Sequence, residues 1–230
     1  MASNKKIDGS PKRPYTLRAR ARRKEEVHHR ITIATVHLHG TVGPARTTVS
    51  DIAKIAGVRR ATVYNHFPTD LDLLDACSSH WFTENPPPDP APWAEISDPG
   101  SRAVVALGAM YEYYDRGQEM LEKVLRDAPL VPALEEILQQ KWFPMMDGII
   151  EILAVGWISE EVGRCSTGGA GVEDGNVQPI RHVGEVQLRA TLRVALDFGT
   201  WQKLEASGLS NNEAARLVVG WVKSGRTLPL

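Results

Sequence analysis

Apolar residues recur at helical spacing through most of the chain. Val27, Ile31, Ala34 and Leu38 lie four, three and four positions apart, which sets them on one face of a helix beginning near Ala21. Gly40, Gly43 and Pro44 close that helix. Thr48-Val-Ser-Asp51 then has the form of a helix start, in which the Thr48 hydroxyl accepts from the third amide and Asp51 returns a bond. The short helix that follows, 49–56, turns Ile52 and Ala53 inward. It ends at Gly57, a residue able to take positive φ, with Val58 packing beneath the turn. A second short helix over about 60–67 puts Ala61, Val63 and Phe67 inward and stops at Pro68. Thr69-Asp-Leu-Asp72 repeats the start signal and opens a longer helix through Leu71, Leu74 and Trp81.

The pattern is interrupted at Asn85-Pro-Pro-Pro-Asp-Pro-Ala-Pro92, a stiff link that cannot continue a helix, because each proline removes a donor and restricts its predecessor. Asp98-Pro99 reads as an N-cap followed by Pro at the first helical position, with an apolar run over 104–114 behind it. Helical spacing continues over 118–127 and 130–153, with breaks expected near Pro129, Pro132 and Pro144. Glycines 168, 169, 171, 175 and 184 predict a long flexible loop over 166–184. Two more helices are expected. The first, 186–206, carries Leu188, Leu192, Ala195, Phe198 and Trp201; the second covers 211–222 after a Gly208-Leu209 stop and a Ser210-Asn-Asn-Glu213 capping box. No alternating strand pattern competes, and the chain reads as all-α.

Composition adds a size limit and an asymmetry. With 230 residues, 42% hydrophobic, the chain can bury one large core or two modest ones. Its net charge of −1 hides 14 Lys and Arg against 4 Asp and Glu in residues 1–66, and 13 against 24 in the remainder. A basic quarter before an acidic body points to a polyanion partner for the former. Residues 1–20 have too little apolar surface to order themselves and read as a disordered basic arm. The expected division is this arm, a basic helical unit over 21–68, and an acidic helical body over 69–230. Cys77 and Cys165 stand far apart and outside any Cys-x-x-Cys pattern, which fits a reduced, cytoplasmic setting and argues against disulfides and structural zinc. The apolar stretches 103–111 and 149–158 are too short to span a bilayer, and residues 1–14 lack the apolar core of a secretory signal. A soluble protein with no membrane partner is expected.

Two short helices joined at Gly57 and preceded by a longer one match a helix-turn-helix, whose second helix enters the major groove of DNA. Arg59 and Arg60 can pair with guanine and Asn65 with adenine, and Thr62 shares their helix. Thr48, Ser50, Tyr64 and His66 suit phosphate oxygens, which fix register without reading sequence.

The run Thr47-Thr-Val-Ser-Asp-Ile-Ala-Lys-Ile-Ala-Gly-Val-Arg-Arg-Ala-Thr-Val-Tyr-Asn-His-Phe67 resembles the DNA-binding segment of TetR-type transcriptional regulators, over roughly residues 27–75. The resemblance implies a homodimer on a palindromic operator and a variable helical domain whose small-molecule effector alters the spacing of the reading heads. It makes Arg60 the base reader, matches Tyr64 and His66 to DNA-contacting positions, and makes Thr48 a helix-start phosphate contact. Two positions depart from the family pattern: Asp70 stands where Lys often opens the fourth helix, and His39 where an aromatic residue often ends the first. Arg46 and the arm residues Lys12, Arg13, Arg18, Arg20, Arg22 and Arg23 are candidates to supply the missing charge, by an arm in the minor groove or as a solvated tail.

In the body, Trp93, Met110, Tyr111, Tyr114, Trp142 and Met146 are candidate effector contacts, with plain core as the alternative for each. Phe198, Trp201, Leu217 and Trp221 are candidate anchors of a four-helix dimer seam. The seven histidines show no metal-ligand spacing, and no cofactor is expected. The expected function is a ligand-responsive repressor released from its operator by a hydrophobic or aromatic molecule. The rivals are a helical enzyme, for which no nucleophile, base and orienting group cluster in the sequence, and a dimeric scaffold with a non-functional head.

Overall fold

The first apolar stripe folds as a helix, but a longer one than the stripe itself. In the computed structural model, which describes residues 13–157 and 178–225, α1 runs Arg13–Thr41. The arm placed over 1–20 is therefore helical from Arg13, and residues 1–12 lie outside the described part. The run from Leu17 to Glu26 is made of Leu, Arg, Ala, Lys and Glu, all strong helix formers, and Pro14 falls in the first turn, where its missing donor costs least. Composition had suggested disorder because it measures burial; here local propensity extends a helix that is anchored further on.

Three helices pack on the second half of α1: α2 (Val49–Ala56), α3 (Arg60–His66) and the start of α4 (Asp70–Glu84). Ile31, Ala34, Leu38, Ile52, Ala53, Ala56, Val63, Phe67 and Leu73 form a small core of their own. Ala61, expected inward, is exposed. The Thr69 start is a complete capping box, with Oγ1 accepting from the Asp72 amide at 3.1 Å and Asp72 Oδ2 accepting from the Thr69 amide at 3.0 Å.

After the proline-rich link, the single turn α5 (Ala91–Ala94) precedes α6 (Pro99–Asp127), capped by Asp98 accepting from the Ser101 amide. The two helical stretches expected on either side of Gly117 are one helix. Gly117 lies against the Trp81 ring, where an added Cβ would come within 3.2 Å. α7 (Pro132–Ile137) runs through a π turn, Leu138–Trp142, into α8 (Phe143–Ala154). Pro144 therefore opens α8 instead of breaking a helix: the wider turn, closed by the Phe143 amide on the Leu138 carbonyl, absorbs the proline clash with the preceding turn.

The last helices are α9 (Gln178–Ala195), α10 (Phe198–Ala206) and α11 (Asn211–Gly225). The segment 178–184, expected within the flexible loop, is helical; the rest of that loop lies outside the described residues. The expected single helix over 186–206 is broken at Leu196. Tyr111 and Tyr114 of α6 donate their hydroxyls to the carbonyls of Ala195 (2.7 Å) and Leu196 (2.6 Å), and Asp197 starts α10 by accepting from the Thr200 amide. Among the described residues there is no strand, and no helix is long and apolar enough to cross a membrane. α6 is the central rod of the body, packing on α8, α10 and α11 while its far end meets α1.

Candidate nucleic-acid interface

The α2–α3 corner is set by backbone chemistry. Thr48 Oγ1 accepts from the Asp51 amide at 3.2 Å and donates its hydroxyl to Asp51 Oδ2 at 2.5 Å, so the returned bond goes to the hydroxyl and not to the backbone. Gly57 takes the left-handed conformation, φ 65° and ψ 39°, and the Val58 amide reaches back to the Ala53 carbonyl at 2.9 Å. Arg59 is the N-cap of α3, with the Thr62 amide donating to its carbonyl. Val63 and Phe67 fasten α3 to the small core, 1% and 3% exposed.

With those two residues inward, the other side of α3 faces solvent. Arg59, Arg60, Tyr64 and Asn65 are exposed, and Thr62 and His66 are half-buried. Arg46, Thr48 and Ser50, before and at the start of α2, are exposed as well. Every residue proposed for DNA is thus reachable, and the charged and amide-bearing ones are concentrated on one short helix. Arg18, Arg20, Arg22 and Arg23 are exposed on the N-terminal half of α1. Since α1 is regular there, these arginines stand on a rod and not on an extended arm, and the minor-groove reading of the arm does not fit them. Asp70 is exposed in the first turn of α4.

His66 lies with its ring centroid 6.1 Å from that of His28. Burial, with His28 and Lys24 nearby, pushes its pKa below the ordinary histidine value. His39 is buried in the junction below the head, its Nδ1 3.6 Å from Cys77 Sγ. Burial lowers it to about 4, against the opposing pull of the Asp127 carboxylate. Cys77 is buried too, and its thiol is pushed up to about 12 by burial, so it is an inert core residue.

The body divides the expected effector residues. Trp93, Met110, Tyr111 and Tyr114 are buried core, and the two tyrosine hydroxyls are taken up by the α9 end. Two hollows lie elsewhere. One, of about 60 Å³, is apolar and sits between head and body, lined by Val36 and His39 of α1, Leu74 and Trp81 of α4, Leu121 of α6 and Trp142. The other, a groove of about 590 Å³, runs between α8 and α9 past Trp142, Phe143, Met146, Ile150 and Val194. Trp142 lines both and Met146 the larger. The lining from α1 and α4 was not foreseen. Those residues follow ordinary core spacing, and only the fold shows that they stop short of filling the junction.

The expected seam divides in the same way. Phe198 and Trp201 are intramolecular core, stacked around Tyr114 at 5.5 and 5.9 Å, and the Trp201 indole donates to Asn211 Oδ1 at 2.9 Å. They are not free to anchor a partner. Leu217 and Trp221, one turn apart on α11, are 43% and 45% exposed, and on α9 Val186 and Val194 are exposed as well. Among the described residues, no three His, Cys, Asp or Glu side chains gather as a metal site would require.

Residues 31–77 match the family described as bacterial regulatory proteins, tetR family. Three solved structures superpose along most of the chain. A transcriptional regulator from Rhodococcus sp. Rha1 covers 88% of this chain and 99% of its own at TM-score 0.50 and 19% identity. A TetR transcription regulator from Haloarcula marismortui covers 87% and 98% at 0.51 and 16%. A provisionally assigned fatty acid metabolism regulator from Clostridium perfringens covers 87% and 100% at 0.54 and 15%. At these identities the likeness is one of fold. No curated protein matches the chain.

Proposed function

We propose, from the match of residues 31–77 to bacterial regulatory proteins of the tetR family, that the chain is a homodimeric repressor, released from a palindromic operator by a small apolar effector. The observation that carries the reading is the outward face of α3, where Arg59, Arg60, Tyr64 and Asn65 are exposed while Val63 and Phe67 hold the helix in place. Arg60 reads a guanine edge, Tyr64, His66, Thr48 and Ser50 hold phosphates, and Arg46 adds charge beside them.

A second copy covers the exposed apolar face of α9 and α11, with Leu217 and Trp221 at its centre. Two such helices from each chain make a four-helix interface, and a two-fold dimer presents two reading helices to inverted half-sites. The effector enters the groove at Trp142 and Met146, whose 590 Å³ suits a drug-sized molecule. To act as a switch it must bind the DNA-incompetent arrangement more tightly than the competent one.

Titration of duplex DNA at rising salt tests the reading. A regulator gives a sequence-selective complex whose affinity falls steeply with salt. A helical enzyme or a scaffold with a silent head gives none.

A further inference from the structure

One buried charge has no part in the reading just given. Asp127, the last residue of α6, is 2% exposed, and its carboxylate reaches from the body to the 3₁₀ turn Pro44–Arg46 that leads into α2. Oδ2 accepts from the Ala45 amide at 3.0 Å, and Oδ1 accepts from Arg126 Nε at 2.7 Å. The approach is close: a Cβ on Gly43 would stand 2.5 Å from Asp127 Oδ2 and 2.6 Å from Arg126 Nη2, and Gly43 has a φ of +93°. Burial works against the Asp127 charge, yet the bonds from Arg126 and Ala45 outweigh it and hold the carboxyl below its ordinary value.

The position of this contact matters more than its strength. Immediately after Ala45 come Arg46 and the Thr48 cap, so the turn that Asp127 holds is the lead-in to the helix-turn-helix. On the other side, the last turns of α6 carry Leu121, Val124 and Leu125 into the wall of the junction hollow. Asp127 thus ends the same helix that supplies Leu121, Val124 and Leu125 to that wall.

We propose that Asp127 is a positioning residue: by holding the Pro44–Arg46 turn through the Ala45 amide, it fixes the orientation of the reading head on the body. This rests on the reading of α3 as a duplex reader, and the first of two measurements does not depend on that reading.

In the full-length protein, hydrogen exchange at the Ala45 amide should speed up by about tenfold or more in Asp127→Ala. In Asp127→Asn, whose one oxygen can still accept from the Ala45 amide while the bond from Arg126 Nε is lost, the rise should be clearly smaller than in Asp127→Ala. The second measurement is affinity for inverted repeats whose half-sites differ in separation by one base pair. Asp127→Ala should lose discrimination among separations, and Asp127→Asn should keep it. Asp127→Ser, which shortens the side chain out of reach of the Ala45 amide but keeps a polar group, should match Asp127→Ala and carries the test if that variant does not fold. Unchanged exchange at Ala45 in both disruptive variants overturns the proposal. So does a uniform loss of affinity at every separation, since that is what a merely structural residue gives. A wild-type protein that binds no inverted repeat defeats the duplex reading, while the exchange comparison still decides whether Asp127 holds the turn.

Discussion

Arg60 and His66 share one short helix but have different surroundings, and the difference sets their roles. Arg60 is exposed at the N-terminal end of α3, with a guanidinium free to meet a base edge. His66 is half-buried beside His28 and can reach little beyond a phosphate. Arg60→Ala should therefore relax base preference at one position of each half-site, at a cost of roughly 1–3 kcal/mol for the preferred base, whereas His66→Ala should weaken all sequences alike. Competition binding against single-base operator variants separates the two, and a uniform loss for both would contradict the assignment. His39 supplies a second test. Its folded pKa of about 4 lies below the value near 6.5 of an unfolded chain, so the unfolded state takes up the extra proton. The contribution is fully present above pH 6.5 and is lost as pH falls toward 4, an effect of roughly 3 kcal/mol at most. Urea unfolding at pH 7 and pH 4.5 should show wild type losing more stability than His39→Leu; equal losses would mean that His39 is not held neutral.

Among the elements, the corners were the most legible in the sequence. Thr48, Gly57 and Thr69 are local signals, and a cap or a left-handed turn depends on few residues outside itself. The apolar face of α1 was legible for the same reason, since Ile31, Ala34 and Leu38 need only a period. What failed was set at a distance. The break at Leu196 is held by two tyrosine hydroxyls from α6, and no local pattern records them. Pro144 looked like a stop because the π turn that accommodates it has no sequence signature. Gly57 offers a check on how independent the small core is. An added Cβ meets nothing within 4 Å, so Gly57→Ala should cost only the left-handed strain, about 1–2 kcal/mol. Hydrogen exchange should show that cost in α2 and α3 with α8 and α11 unchanged; equal loosening of both regions would mean that head and body unfold as one unit.

For the molecule as a whole, the same four aromatic and aliphatic residues that looked equivalent as a seam have divided between two tasks. Phe198 and Trp201 on one expected helix and Leu217 and Trp221 on the next are expected to anchor one seam, but α10 turns its pair toward Tyr114 while α11 leaves its pair about half exposed. Trp201→Ala should destabilise the protomer by about 3–5 kcal/mol. Trp221→Ala should leave the protomer fold intact and weaken self-association by about tenfold or more, the loss expected of an interface anchor. Thermal unfolding and sedimentation velocity on the two variants check this, and a Trp221→Ala protein that associates as wild type would place the seam elsewhere. The candidate effector residues divided in the same way: Trp142 and Met146 reach a hollow, and Tyr111 and Tyr114 serve the core, because hydroxyl partners in a fold cannot be inferred from helical spacing.

The central claim is that α3 lies in a groove of duplex DNA, twice per dimer. Repeated selection of bound duplexes from a random pool by the full-length protein tests it most directly. The account predicts enrichment of an inverted repeat, its half-sites about one helical turn apart or a multiple of it, with one position in each half relaxed when Arg60→Ala is used instead. A final pool with the composition of the starting one would contradict it.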